Sequence, residues 1–413
     1  MSGSVADRTT IGSGVGETGP ASARRVLRVV GELNFGGTEM RTAELLPYLA
    51  AAGIEVHLVT LADRVGPGPL SGAITRYGGS VTAVPLDARF PARFHRLLRQ
   101  LRPDAVHVDC ANFSGVPLAL AGLAGVPVRV GHFRGDDDQH RGLPRRVSRW
   151  LCGQLLRGCA TDILGVSPGS LGVGYRRDWH TDPRCQVVLN GLDVERLRRP
   201  SPLDLRAAIG ARPGELVCVS VGRASAEKRR WLLPPILAAL RTRGVSAHAV
   251  LVGPGDAADD ARVADAASAA GVAERVHLLG ARDDVGGLLR QADVVIHPSC
   301  LEGLPGGVLE PVALGIGTVA ADLPGVRFIS GHLPGVTVVD TDAPPSEWAA
   351  AAQAAAAYTA ATDTATAVAR FADSVFAIDT AAATHLAIYR RRPARRHTAS
   401  PGGRVRPPAD PKR

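Results

Sequence analysis

The sequence predicts an α/β protein of two doubly wound domains, each a parallel sheet covered by helices on both faces. Three observations carry this. Short apolar runs alternate with helical patterns from Val26 onward, and the alternation breaks at Pro200-Ser-Pro202 and then restarts. A length of 413 residues is also too great for one ordinary core.

The elements follow in order. Val26–Gly31 reads as the first buried strand and Thr38–Ala52 as the first helix, with Thr38 its N-cap. Val56–Leu61, Val81–Pro85, Ala105–Asp109, Val128–His132, Ile163–Val166 and Gln186–Leu189 are the other strands of the first domain. The second set is Leu216–Gly222, Ala247–Gly253, Val276–Gly280, Val294–His297, Thr318–Ala321 and Val336–Val339. The alanine-rich stretch around Trp348–Ala357 reads as a structural helix. A final helical stretch from Ala365 ends in Leu386-Ala-Ile-Tyr389, more apolar than a free tail needs, and is expected to pack back on the body. The expected organisation is a disordered leader over 1–25, domains over 26–195 and 200–364, returning helices over 365–391, and a basic disordered tail over 392–413.

The formal net charge of +9 suggests nucleic acid until it is located. Arg390, Arg391, Arg392, Arg395, Arg396, Arg404, Arg406, Arg413 and Lys412 stand against Asp410, so the C-terminal segment holds nearly all of it. The body is close to neutral, and aromatics make up only 4% of the chain, which leaves little for bases to stack on. A nucleic-acid partner is therefore not expected. An Arg- and Pro-rich tail reads as solvated, with attraction to an anionic membrane surface as the functional alternative. The six cysteines are scattered without C-x-x-C spacing, which argues against zinc and for reduced thiols in the cytoplasm. No apolar run reaches the roughly 18 residues of a membrane span. The first 24 residues, rich in Gly, Ser and Thr, lack the apolar region of a signal peptide.

The most informative segment is His297-Pro-Ser-Cys-Leu-Glu302-Gly-Leu-Pro-Gly306-Gly307-Val-Leu-Glu310. It follows the strand run Ala292–Ile296 and reads as a loop holding Glu302 and two glycines, then a helix with Glu310 on its first turn. Free N–H groups at such a helix start seat a phosphate, and the two carboxylates suit the hydroxyls of a sugar and a ribose. Gly31 through Gly36-Gly37-Thr38-Glu39 is a second glycine-bearing strand-to-helix turn, but it is not G-x-G-x-x-G, so a dinucleotide fingerprint is absent. Val221-Gly222-Arg223 with Lys228 places a planar fork and a point charge after a strand's carboxyl end, a pairing suited to a diphosphate. His132 ends its strand at the same kind of edge and is a candidate hydrogen-bond partner for a reacting sugar or phosphate. Asp136-Asp137-Asp138 invites a metal reading, but three successive acids alternate in direction and read as a solvated loop. Asn190-Gly191 is adequately read as a turn.

Taken together, these residues resemble the retaining, family 4 glycosyltransferases of the GT-B fold. The resemblance runs from about Val26 to Tyr389, and the Arg- and Ala-rich style is similar to actinobacterial members. Its markers are Gly36-Gly37-Thr-Glu39, Val187-Val-Leu-Asn-Gly-Leu-Asp193, Val221-Gly-Arg223 with Lys228, and the Glu302 to Glu310 segment. It implies two Rossmann-like domains facing a central cleft, with a nucleotide-sugar donor, a UDP-sugar by expectation, held mainly on the second. Arg223 and Lys228 would clamp the diphosphate, Glu310 the ribose, and Glu302 the donor sugar. Gly306 and Gly307 would lend backbone contacts, Gly37 would close on the phosphate, and His132 would stand near the transferring sugar. Gly280, Ala281 and Arg282 fall where the base is held.

The implied catalytic set is His132, Glu302, Arg223 and Lys228, with no metal and no cofactor. The implied reaction is transfer of a hexose to an acceptor hydroxyl with retention. The acceptor would be a sugar, a lipid-linked glycan or a small metabolite. The segment Asp322-Leu-Pro-Gly325-Val-Arg departs from the family where many members carry a glutamate. A GT-B-type epimerase or phosphorylase, or a non-catalytic sugar-nucleotide binder, are the alternatives.

Overall fold

The computed structural model describes residues 24–31, 37–65, 69–135 and 143–391. The expected leader, the tail, Gly36 and Asp136–Asp138 lie outside the described residues. Strands β1 (Arg24–Val30), β2 (Ile54–Thr60), β3 (Val81–Ala83), β4 (Ala105–Val108), β5 (Val128–Phe133), β6 (Asp162–Gly165) and β7 (Cys185–Val187) form one sheet in the order β3-β2-β1-β4-β5-β6-β7. Strands β8 (Leu216–Val221), β9 (Ala247–Val252), β10 (Val276–Gly280), β11 (Val294–His297), β12 (Thr318–Ala321) and β13 (Val336–Val339) form a second, ordered β10-β9-β8-β11-β12-β13. Every ladder in both sheets is parallel. These are the two doubly wound α/β domains that the alternation of apolar runs predicts, in the GT-B arrangement that the family resemblance implies.

Both sheets reverse direction at their first strand. The switch lies between β1 and β4 in one domain and between β8 and β11 in the other, and ligands of open α/β sheets bind outside the carboxyl ends there. The central strands are buried on both faces, as in β1, where Val26, Leu27, Val29 and Val30 are all at most 3% exposed. Burying side chains of this size stabilises by roughly 1.5–3 kcal/mol each.

Two local expectations are corrected. The first helix runs Gly37–Ala51, so Thr38 lies inside it and is not the residue before its first turn. Gly306 and Gly307 are the first two residues of the helix Gly306–Ala313 and not part of the preceding loop. Glu310 is consequently its fifth residue, one full turn in. Pro305 stands ahead of this helix with extended backbone, which ends the loop two residues earlier than the glycines suggest.

The last helix, Ile378–Tyr389, returns to the first domain. Its Ile378, Ala381, Ala382, Ile388 and Tyr389 share one core cluster with Val26, Leu45 and Val130. Gly191 makes this possible, because a Cβ there would lie 2.5 Å from the Ala381 Cβ. Arg24 Nη1 donates to the Tyr389 carbonyl at 2.8 Å, tying the first strand to the end of the same helix.

Candidate functional site

On the second domain the site is built from the loops after β8 and β11. These loops are tied to each other by backbone: Cys300 N–H donates to the Glu227 carbonyl at 2.9 Å and Ser299 Oγ to the same oxygen at 3.1 Å. Arg229 adds a second tie, donating from Nε to the Pro298 carbonyl at 2.7 Å and from Nη1 to Thr341 O at 2.8 Å. Its backbone sits at φ 46°, a left-handed conformation that costs a non-glycine residue roughly 1–2 kcal/mol and is held by those two bonds. Gly307 is demanded by packing, since a Cβ would lie 2.8 Å from His297 Nδ1 and 3.0 Å from the Val221 carbonyl.

Lys228 and Glu302, placed on separate loops by sequence, meet here. The Lys228 ammonium hydrogen-bonds Glu302 Oε1, and His297 Nε2 lies 3.1 Å from the same oxygen. Burial pushes the Glu302 carboxyl up, but the His297 hydrogen bond and the Lys228 charge outweigh it and hold the group at about 2. Glu302 is thus a fixed anion at neutral pH, and Lys228 is locked beside it. Arg223 is separate: its side chain is 52% exposed and pairs with Glu227 at 3.0 Å, so the two cations expected to act as one clamp have different partners.

Glu310 is bonded by Arg41 of the first domain and by Arg196 of the connecting segment. Arg41 Nη2 lies 2.5 Å from Glu310 Oε1, and Arg196 Nη2 is 3.3 Å from the same atom. Both arginines also hold Glu44, at 2.9 and 2.6 Å, so four charged groups bridge the first helix and the helix Gly306–Ala313. Arg282 makes a bidentate pair with Asp284, at 2.8 and 2.6 Å, which engages its fork within its own loop. Gly37 is exposed at the helix start, with nothing near its Cβ position. Gly306 faces Glu310, whose Oε1 would be 3.9 Å from an added Cβ.

The first domain contributes a buried polar cluster at the ends of β4 and β5. Asp109 accepts from Arg28 Nη2 at 2.7 Å and from Arg134 Nε at 2.8 Å, with Arg28 and Asp109 side chains fully buried. Although burial works against it, the two guanidiniums hold Asp109 well below the ordinary carboxylate range. Arg134 also donates from Nη1 to Asn190 Oδ1 at 2.8 Å, which gives the expected Asn-Gly turn a second task. A Cβ on Gly303 would lie 2.5 Å from the Arg134 carbonyl, so the Glu302 loop packs directly on the end of β5. Burial, and to a smaller degree the Asp109 charge, raise Glu39 of the first helix, while Arg134 and Arg223 oppose.

His132 lies in that cluster. Tyr389 Oη is 2.7 Å from His107 Nδ1, and His107 Nε2 is 3.0 Å from His132 Nδ1. Burial, then Arg28, lowers His107 to about 4, and burial with Arg134 lowers His132 well below its usual value, so both rings are neutral at pH 7. Burial holds the Tyr389 phenol protonated up to about 12. The Tyr389 phenol has a single hydrogen-bond partner among the described residues, so its buried O–H donates to His107. His107 Nε2 then faces both His132 Nδ1, at 3.0 Å, and Asp109 Oδ1, at 3.5 Å, and His132 Nε2 has no partner among the described residues.

His107, His132 and His385 are close enough to share an ion. The surroundings fit one poorly, because Arg28 and Arg134 flank the rings and the charge of Asp109 is already divided between them. Replacing Asp109 by Asn is expected to destabilise the fold by about 3–5 kcal/mol, because two guanidiniums would stay buried without their anion. The denaturant midpoint should fall accordingly, and an unfolding free energy within about 1 kcal/mol of the parent would refute the pairing.

Arg41, Glu44, Asp109, Arg134, Arg196 and His297 were not singled out by sequence reasoning. Arg41 and Glu310 are 269 positions apart, and no local pattern signals such a pair. The signal that existed was the ending of β4 and β5 on Asp109 and Arg134 at the same edge as His132.

Two facing doubly wound sheets, with charged groups gathered at both switch points, define a two-domain GT-B protein. The family models agree domain by domain: a glycosyl transferase 4-like domain matches residues 36–191 and a glycosyl transferases group 1 domain matches residues 215–357. The chain belongs to the family 4-like glycosyltransferases of the GT-B fold. It is 26% identical over 340 residues to Bacillus subtilis EpsF, a glycosyltransferase by name, covering 80% of this chain and 87% of the relative. It is 24% identical over 239 residues to an Escherichia coli UDP-Gal:alpha-D-GlcNAc-diphosphoundecaprenol alpha-1,3-galactosyltransferase, covering 56% and 61% of the two chains. Among solved structures, Anabaena HepE in complex with UDP-glucose superposes with a TM-score of 0.72 at 20% identity, over 88% of this chain and 99% of the other.

Proposed function

We propose that this glycosyltransferase moves a hexose from a UDP-sugar to an acceptor hydroxyl with retention of configuration and without a metal ion. The observation that carries the reading is the ionised Glu302, held by Lys228 and His297 beside the start of the helix Gly306–Ala313 and packed through Gly303 against the strand that bears His132. Cleaving the bond from the anomeric carbon to the diphosphate leaves negative charge on the leaving group. Lys228, Arg223 and the free N–H groups of the helix start would stabilise that charge in place of a metal. Glu302 would accept from the donor sugar's hydroxyls and Glu310 from the ribose, each exchanging a present partner for the substrate. Gly37 and Gly307 would approach the phosphates by backbone, and the backbone at Gly280 and Arg282 would hold the base. His132, as the Nε2–H tautomer, would donate a hydrogen bond to the transferring sugar.

Glu302 is tied to Lys228 and His297, which makes it a poor covalent nucleophile. A leaving phosphate oxygen is the natural acceptor of the incoming hydroxyl's proton, which places attack on the departing face and preserves configuration. The UDP donor draws support from the UDP-Gal in the name of the E. coli relative and from the UDP-glucose bound to HepE, and a lipid-linked acceptor from the diphosphoundecaprenol in the former's name. We place the enzyme on the cytoplasmic side, with its basic C-terminal segment drawn to the membrane. No helix among the described residues is long and apolar enough to cross one.

The test is a thermal-shift panel of UDP-, GDP-, ADP- and dTDP-sugars, followed by transfer to candidate acceptors with the anomeric coupling of the product read by NMR. UDP-sugars should raise Tm, the product should keep the donor's configuration, and chelators should leave the rate unchanged. An inverted product, or epimerisation of the donor without acceptor, would overturn the reading.

A further inference from the structure

Glu310 is the carboxylate proposed for the ribose, yet one of its oxygens is already taken twice. Arg41 Nη2 donates to Oε1 at 2.5 Å and Arg196 Nη2 to the same atom at 3.3 Å. A carboxylate oxygen offers two lone pairs, so Oε1 is full. The neighbouring hydroxyls of a ribose donate side by side and need one acceptor on each oxygen. One guanidinium must give way before both can bind.

Of the two, Arg41 is the stronger competitor. Its bond to Glu310 is the shorter, and it is the one side-chain hydrogen bond Arg41 makes among the described residues. Arg41 Nη1 lies 2.9 Å from Glu44 Oε2 but is not directed to form a hydrogen bond there. Arg196 is anchored elsewhere, since its Nε donates to Glu44 Oε1 at 2.6 Å. It also sits in the helix Val194–Leu197, whose Leu197 shares a core cluster with Val308 and Leu309 beside Glu310. Arg196 therefore moves with the second domain, while Arg41, on the helix Gly37–Ala51, belongs to the first. The Arg41 and Glu310 side chains are only 6% and 12% exposed, so water screens this pair far less than one on the surface.

We infer that Arg41 competes with the ribose of the nucleotide for Glu310, so that this first-domain side chain sets donor affinity. This rests on the ribose assignment of Glu310 proposed above and names what opposes it. Binding the two hydroxyls transfers Glu310 Oε1 from Arg41 Nη2 to the donor, and Arg41 turns to Glu44, three residues along its own helix. Glu44 sets the balance from the other side, because it draws both arginines, at 2.9 and 2.6 Å, away from Glu310. Removing the Arg41 charge releases Glu310 to the ribose, whereas removing the Glu44 charge releases both arginines onto Glu310. The two substitutions break the same buried network and both should lower Tm, yet they move donor affinity in opposite directions. A purely structural role would weaken binding in both.

The experiment is titration calorimetry of the full chain with UDP and with 2′,3′-dideoxy-UDP, for the parent, Arg41→Met and Glu44→Gln. UDP should bind Arg41→Met about tenfold more tightly than the parent, the worth of one charge-assisted hydrogen bond. It should bind Glu44→Gln severalfold more weakly. The dideoxy nucleotide has no ribose hydroxyls to offer Glu310 and should bind all three proteins alike. Each variant decides through its own ratio of the two affinities, so misfolding of one leaves the other as a test. An Arg41→Met protein that binds UDP no more tightly than the parent overturns the inference, and weaker binding would make Arg41 a support for Glu310 instead. An equal gain for the dideoxy nucleotide also overturns it, since Arg41 would then oppose the phosphates or the base. The donor reading fails separately: the parent would then not bind UDP at all, or would bind both nucleotides equally and so make no use of the ribose.

Discussion

Lys228→Met should lower kcat/KM roughly 10²–10³-fold while leaving the protein folded, the size of effect that follows removal of one preorganised charge from a developing anion. The substitution removes both the cation expected at the leaving diphosphate and the ammonium that fixes Glu302. These two consequences can be separated. With Lys228 gone, Glu302 keeps only His297, and a mostly enclosed carboxylate short of a partner lowers stability. Adding Glu302→Gln removes that anion, so the double variant should recover Tm but not turnover. If Lys228→Met retains turnover within tenfold of the parent in an established assay, Lys228 has no part in stabilising the leaving group.

Mild acid should unfold the first domain. His107, His132 and His385 are neutral and fully buried, with folded pKa values below the usual 6.5, in each case chiefly through burial, and His107 lies at about 4. The unfolded chain takes up protons below pH 6.5 that the folded chain cannot. Their contribution is fully present above that pH and is lost as pH falls toward the folded values. Each ring then costs as much as about 2 kcal/mol by pH 5, and three together approach the whole stability of an ordinary domain. Asp109 has the same sign at lower pH: its depressed pKa gives stability above about pH 4 that disappears below it. Far-UV circular dichroism melts from pH 7.5 to 4.5 check this, with the steepest fall in Tm expected below pH 6. His107→Gln should flatten that slope by about one proton, and a Tm flat down to pH 5 would show that the rings are not held neutral.

These two results test different layers of what the sequence made legible. All thirteen strands overlap apolar runs between turn signals, and the central ones are predominantly apolar because both their faces are buried. The ligand-facing loops could also be read, since in an open α/β sheet whatever follows the first strand of each half lies at the switch point. Lys228 and Glu302 both lie on such loops. The helix boundary at Gly306 could not be read in this way, because Pro305 and not the glycines ends the loop.

The sequence by itself determined two parallel sheets, the edge at which their functional groups gather, and the resemblance to a glycosyltransferase family. These follow from periodicity and local backbone preference, which act over a few residues. Tertiary structure alone decided which polar groups pair: Arg41 with Glu310 across the domains, Arg196 with both Glu44 and Glu310, Arg28 and Arg134 on Asp109, and Tyr389 through His107 on His132. Such pairs join residues tens to hundreds of positions apart. Their strength comes from removal of water around them, and only the packed interior supplies that.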